Sequence, residues 1–94
     1  MNNLLTRFWF EFEIEDISKL PGGVGYGCGV SAFDYDDAIN ILQEKVFKNV
    51  EIPKIIRFIE NVNINELDQT HVVVNMNPPI YRGVWFPLGY NQNN

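Results

Sequence analysis

The sequence predicts an α+β domain: an antiparallel sheet of about four strands, in the order β-β-α-β-β, with one main helix packed on one face. Three observations carry this expectation. Residues 7–15 alternate apolar and polar side chains, the period of a half-buried strand. Residues 34–48 combine an acidic start with apolar residues at helical spacing. Residues 80–86 form another β-rich run, stopped by Pro87. A single amphipathic helix covers one side of such a sheet and leaves the other to solvent or a partner.

In the first strand Phe8, Phe10, Phe12 and Ile14 alternate with Arg7, Trp9, Glu11, Glu13 and Glu15. Trp9 is the odd member, an apolar ring on an otherwise charged face. Residues 16–23 read as a loop. Residues 24–30 read as a second strand, with Val24, Tyr26, Cys28 and Val30 on one face and Gly23, Gly25, Gly27 and Gly29 on the other. Glycine weakens a strand unless something must approach its backbone closely.

Asp34 suits a helix N-cap, with Asp36 and Asp37 in the first turn beside the positive end of the helix dipole. Ala38, Ile41, Leu42, Val46 and Phe47 supply the apolar stripe, Lys45 and Lys48 suit the last turn, and Pro53 prevents continuation. Residues 54–62 resemble a third strand with a blurred period, since Ile56 and Phe58 fall on one face and Ile55 and Ile59 on the other. A short helix there stays open. Residues 66–77 are ambiguous: Val72 to Val74 favour strand, the preceding residues a helical turn, and Pro78 and Pro79 an extended or turned chain. In the last strand Val84 and Phe86 suit the core, which places Tyr81, Gly83 and Trp85 on the opposite face. The chain of 94 residues fits a single domain with its core in residues 7–88 and a disordered tail at 89–94.

The composition narrows the function. Seven Phe, four Tyr and two Trp let a short chain bury more area per residue. A net charge of −5, with seven scattered Lys and Arg, argues against nucleic acid and anionic membrane surfaces. The one cysteine, Cys28, cannot form an intrachain disulfide, and with one histidine it cannot complete a Cys/His zinc site. No cofactor is expected. No run approaches the roughly 20 apolar residues of a membrane span. The N-terminus lacks a signal-peptide pattern, so a cytoplasmic location is expected.

The opening Arg7-Phe8-Trp9-Phe10-Glu11-Phe12, the run Gly27-Cys28-Gly29-Val30, the exit Asn61-Val62-Asn63-Ile64, His71 with Asn75-Met76, and the closing Arg82-Gly83-Val84-Trp85-Phe86-Pro87 resemble a group of short bacterial proteins of unknown function. The similarity spans residues 7–87. It implies bacterial origin and a stand-alone domain, and it brings no activity with it.

Several motifs invite chemistry. Gly27-Cys28-Gly29-Val30-Ser31-Ala32 fits G-x-G-x-x-A between a strand and a helix. The helix starts too late for those glycines to form its first turn, and Asp34, Asp36 and Asp37 repel anions from that terminus. Packing of rings on bare backbone is the simpler account. The three aspartates could hold a cation, but helix capping explains them. His71 is the single ready general base near neutral pH, with Asn75 four residues on. Neither Cys28 nor Ser31 is placed beside it by spacing. Cys28 fits an inert core position.

The aromatic set carries most content. Trp9, Tyr81, Trp85 and the glycine row share the sheet face away from the helix if the alternation holds. Either the rings lie over the glycines, as in aromatic rescue, or they form an exposed platform rimmed by Arg7, Glu11, Glu13 and Arg82, the mark of a partner or self-association site. The leading expectation is therefore a non-catalytic protein-interaction module that binds a protein partner or homodimerises through Trp9, Tyr81 and Trp85. The second is a small-molecule binder or enzyme with a pocket near His71, Asn75 and Arg82.

Overall fold

The computed structural model describes residues 4–90. Four strands, β1 (Thr6–Phe12), β2 (Cys28–Ala32), β3 (Ile55–Glu60) and β4 (Gly83–Phe86), form one antiparallel sheet in the order β3-β1-β2-β4. The helix α1 (Tyr35–Ile41) continues through a wider π turn, Leu42–Val46, and packs mainly on β2 and β4. This is the α+β architecture expected from the alternation and the capped stripe.

The helix forms for the reasons its residues give. Asp34 accepts the backbone N–H of Asp37 at 2.8 Å, and the Asp37 carboxylate reaches back to the N–H of Phe33 at 3.0 Å. Two donors at the helix entrance are thereby satisfied. Ala38, Ile41, Leu42, Val46 and Phe47 are all buried, against Phe8, Phe10 and Phe12 of β1 and Cys28, Val30 and Ala32 of β2. In the last turn the N–H of Phe47 bonds to the carbonyl of Leu42, and Gln43 donates its amide to the carbonyls of Phe47 and Val50. The final carbonyls thus find a side-chain donor.

The second strand is shorter than expected. Val24–Tyr26 is a tight 3-10 turn, not strand. Gly23 and Gly27 bracket it with φ of 87° and 123°, a left-handed backbone that breaks the pleat and turns Tyr26 outward. Val24 still reaches the helix-side core.

Two bulges explain the irregular periods. Phe12 pairs with Ile55 and Glu11 with Arg57, so Ile56 has no partner on β1. Ile55 then joins the helix-side core while Ile59 packs on the other face, and the strand reading of residues 54–62 holds with its phase shifted. In the same way Gly29 pairs with Phe86 and Val30 with Val84, leaving Trp85 unopposed. Val84 enters the helix-side core as expected, but Phe86 does not: the bulge sends Trp85 and Phe86 together to the far face.

Residues 61–82 contain short turns and no strand. Val72 to Val74 are kept from extending by Asp68, whose carboxylate accepts the N–H groups of Thr70 and His71 and whose carbonyl accepts those of Val72 and Val73. Gly89 and Tyr90, assigned to the expected tail, lie among the described residues. Tyr90 packs on the core and donates its hydroxyl to the Gly22 carbonyl at 2.8 Å; residues 91–94 lie outside the described residues. No helix among the described residues is long and apolar enough to cross a membrane.

Candidate functional site

The expected platform lies on the sheet face away from α1. Trp9 is 2% exposed and Trp85 is 1% exposed. Their rings stack at 6.0 Å and Phe86 lies 5.8 Å from Trp9. Val62 and Val72, with Ile59, Ile64, Leu67 and Met76 at the margin, close the cluster. The open platform is corrected: the chain's own residues 62–76 cover the rings. The glycines serve this packing. A Cβ at Gly29 would overlap the Trp85 ring, and one at Gly27 would stand 2.6 Å from Trp9 and from the Phe10 carbonyl oxygen. At Gly27 and Gly29 rings therefore lie over bare backbone, the first of the two readings; Gly23 and Gly25, expected in the same row, belong to the 3-10 turn and face Pro87 and Ile17 instead.

Trp9 tolerates its charged face because its indole N–H donates to Glu11 at 2.9 Å, and Glu11 in turn pairs with Arg57 at 3.2 Å. The Trp85 N–H is buried and finds no acceptor among the described residues. Tyr81, the third member of the expected platform, is 66% exposed and belongs to no part of this cluster.

His71, Asn75 and Arg82 do not converge. Arg82 lies at the entrance of α1, with its Nε 3.0 Å from Asp37 and its guanidinium 5.6 Å from the Phe33 ring. The Arg82 hydrogen bond holds the Asp37 carboxyl below the usual carboxylate range, and Asp37 in turn raises Arg82. His71 belongs to the far face, stacked on Tyr26 at 4.9 Å and 3.2 Å from Asp68. Asn75 donates to the His71 carbonyl, not to its ring. The Asp68 carboxyl falls to about 2, chiefly through the N–H of His71 and then the Thr70 hydroxyl. These are the partners of turn-forming and capping residues. Cys28 is fully buried in the helix-side core, and burial pushes its thiol well above the ordinary range, the surroundings of a structural cysteine. Among the described residues no group of three or more His, Cys, Asp and Glu is placed to hold a metal.

Two surfaces remain that the sequence reading passed over. The first is β3. It pairs with β1 on one side, and among the described residues nothing pairs with its other edge. The opposite edge strand, β4, is partly covered, since the N–H of Asn77 bonds to the Trp85 carbonyl at 2.8 Å. Beside the open β3 edge, Ile56 is 59% and Phe58 45% exposed, and the Tyr35 ring leans on Phe58 at 5.0 Å. The blurred period of residues 54–62 reports the bulge at Ile56 and burial on both faces, and no local pattern marks the open edge.

The second surface is an open groove of about 690 Å³ at the end of the sheet. Arg7 of β1, Asn61 and Asn63 meet there with Leu4, Ile64 and Ile80. Asn61 adopts φ 54°, a left-handed conformation uncommon outside glycine.

No protein-family profile, curated protein or solved structure matches the chain.

Proposed function

We propose that the protein is a non-catalytic interaction module whose contact surface is the open edge of β3, with a second copy of the chain as its partner. The observation that supports this is the unpaired edge itself. An edge strand presents a row of free N–H and C=O groups, and strand addition is a recurring mode of protein recognition. Here the edge is flanked by exposed apolar side chains instead of being shielded by proline or a covering loop.

The residues of β3 favour one self-pairing. Directly opposed residues of an antiparallel pair lie on the same face of the sheet, so a two-fold axis passes through a residue and its copy. An axis at Arg57 would set two guanidinium groups against each other. An axis at Ile59 would also oppose no like charges, but it parts the two Phe58 rings and sets each against the second copy's Glu60. An axis at Phe58 places ring beside ring, Arg57 opposite Ile59 and Ile56 opposite Glu60, with no like charges opposed.

Sedimentation equilibrium tests this. The parent chain should show a concentration-dependent dimer. Phe58→Lys should abolish it at matched folded fraction, since the half-exposed ring also packs on Phe10 and Tyr35 and lysine is a common guard of strand edges. A parent that stays monomeric, or a Phe58→Lys variant that dimerises like the parent, overturns the proposal.

A further inference from the structure

The groove at the end of the sheet points to a binding site separate from the β3 edge. Three arginines stand in the chain. Arg57 pairs with Glu11 and Arg82 with Asp37. Arg7 has no carboxylate partner among the described residues, although the chain carries twelve Asp and Glu. Its Nε donates to the Val62 carbonyl at 3.2 Å, which fixes the plane of the guanidinium at the groove wall. The terminal nitrogens are left for another acceptor. In so acidic a protein, an arginine oriented by a backbone carbonyl and not neutralised by an acid is a specific arrangement. A guanidinium presents a planar fork matched to a carboxylate.

The surroundings narrow the ligand. Asn61 and Asn63 bring side-chain amides to the same groove. The Asn63 oxygen accepts the N–H of Asn65 at 3.0 Å, which turns its NH₂ away from that bond. Side-chain amides offer both a donor and an acceptor, the pattern of a peptide backbone. Ile80, 70% exposed, and Leu4, 76% exposed, stand apolar at the margin with Ile64. The volume of about 690 Å³ is within the range of peptide and small-ligand sites, and its open form suits an extended chain over a compact molecule.

We propose that this groove captures the C-terminus of a peptide: Arg7 takes the terminal carboxylate, Asn61 and Asn63 bond the last peptide groups, and Ile64 and Ile80 receive apolar side chains. The carboxylate supplies the negative charge that Arg7 lacks, and the apolar residues behind it cover the exposed margin. Capture of a chain terminus is a recurring mode of peptide recognition. The inference does not depend on self-association through β3.

The test is fluorescence anisotropy with the full chain and a fluorescein-labelled hexapeptide ending in Val-Leu with a free carboxylate. Its C-terminal amide is the matched control, and hexanoate is the competitor. Saturable binding of the free acid is expected, with the amide at least about tenfold weaker, the scale of losing one charge-assisted pair. Arg7→Gln should weaken the acid by a similar factor and leave the amide unchanged. Because Arg7 also supports the Val62 carbonyl, Ile80→Glu provides an independent variant at an exposed position, and it should weaken the acid by at least about tenfold through charge repulsion while the melting temperature stays near the parent's. Equal binding of acid and amide, no saturable binding of the peptide, or full binding by Ile80→Glu overturns the proposal. Displacement by hexanoate as effective, mole for mole, as by unlabelled peptide also overturns it, since the amides and the extended groove would then contribute nothing.

Discussion

The two faces of the sheet are filled by different means. On the helix face, Phe8, Phe10 and Phe12 meet Ala38, Ile41, Leu42, Val46 and Phe47, an alternating strand against an amphipathic helix. On the far face, Trp9, Trp85 and Phe86 sit over glycine backbone and beneath a segment of turns. The helix face is held by many contacts spread over four phenylalanines and the aliphatic side chains between them. The far face depends on a few large rings, on the absence of two Cβ atoms, and on hydrogen bonds that keep the covering segment in place. Ser31 is one of these: fully buried on β2, it donates its hydroxyl to the Pro79 carbonyl at 2.5 Å. An irregular segment can thus close over an apolar face as a helix does, but it needs tethers where a helix satisfies its own backbone.

Gly29→Ala is the largest test of this contrast. The added methyl overlaps the Trp85 ring inside a fully buried strand, and the expected loss is about 3 kcal/mol, the upper part of the range for overpacking. Urea unfolding followed by tryptophan emission measures it. A loss below about 0.5 kcal/mol, typical of an unconstrained surface site, would mean that the rings are not seated on the glycine.

Ser31→Ala probes the tether. Removing the hydroxyl leaves the Pro79 carbonyl without that donor, an expected cost of about 1–2 kcal/mol. Amide hydrogen exchange separates the two faces: protection should fall over residues 62–80 and persist in α1. Uniform loss across both would show that the faces open as one unit.

The smallest effect is a pH response. Asp68 holds the turn that carries Val72 under the Trp cluster, and its carboxyl drops from 3.8 to about 2 in the folded protein. Its folded value lies below its unfolded one, so its contribution is present above about pH 3.8 and is lost as pH falls from 3.8 towards 2. Asp37, held down by Arg82, places the same sign on the helix face. Carboxyl carbon shifts in an NMR titration read both groups. Asp68→Asn should remove the acid limb at residues 68–73 alone, and an Asp68 that titrates at the ordinary carboxylate value would break the account.

How far the sequence could be read follows the same division. Phe8-to-Phe12 alternation, the Asp34 cap and the stripe from Ala38 to Phe47 are local patterns, each dictated by a backbone period of two or of 3.6 residues. They were legible because the polar partner of every apolar position lies within a few residues. The places of Ile56, Trp85 and Phe86 were not, because a bulge is decided by the neighbouring strand: one unopposed residue flips the faces of those beyond it. His71 and Arg82 looked like partners on paper, yet Arg82 is drawn to Asp37 and His71 to Asp68 and Tyr26. Arg7, at the other extreme, passed as a rim charge, since only the folded chain sets it beside Asn61 and Asn63 at the far end of the sheet.

By itself the sequence determined the two kinds of element and the helix face of the core, because hydrophobic periodicity and capping are properties of short stretches of chain. It also placed Trp9 and the glycines on one face by strand alternation, with ring packing and an exposed platform both left open. Only the tertiary structure decided what covers those rings. Residues 61–82 have no periodicity of their own; their path is set by long-range bonds such as Ser31 to Pro79 and Asn77 to Trp85, which no local pattern encodes.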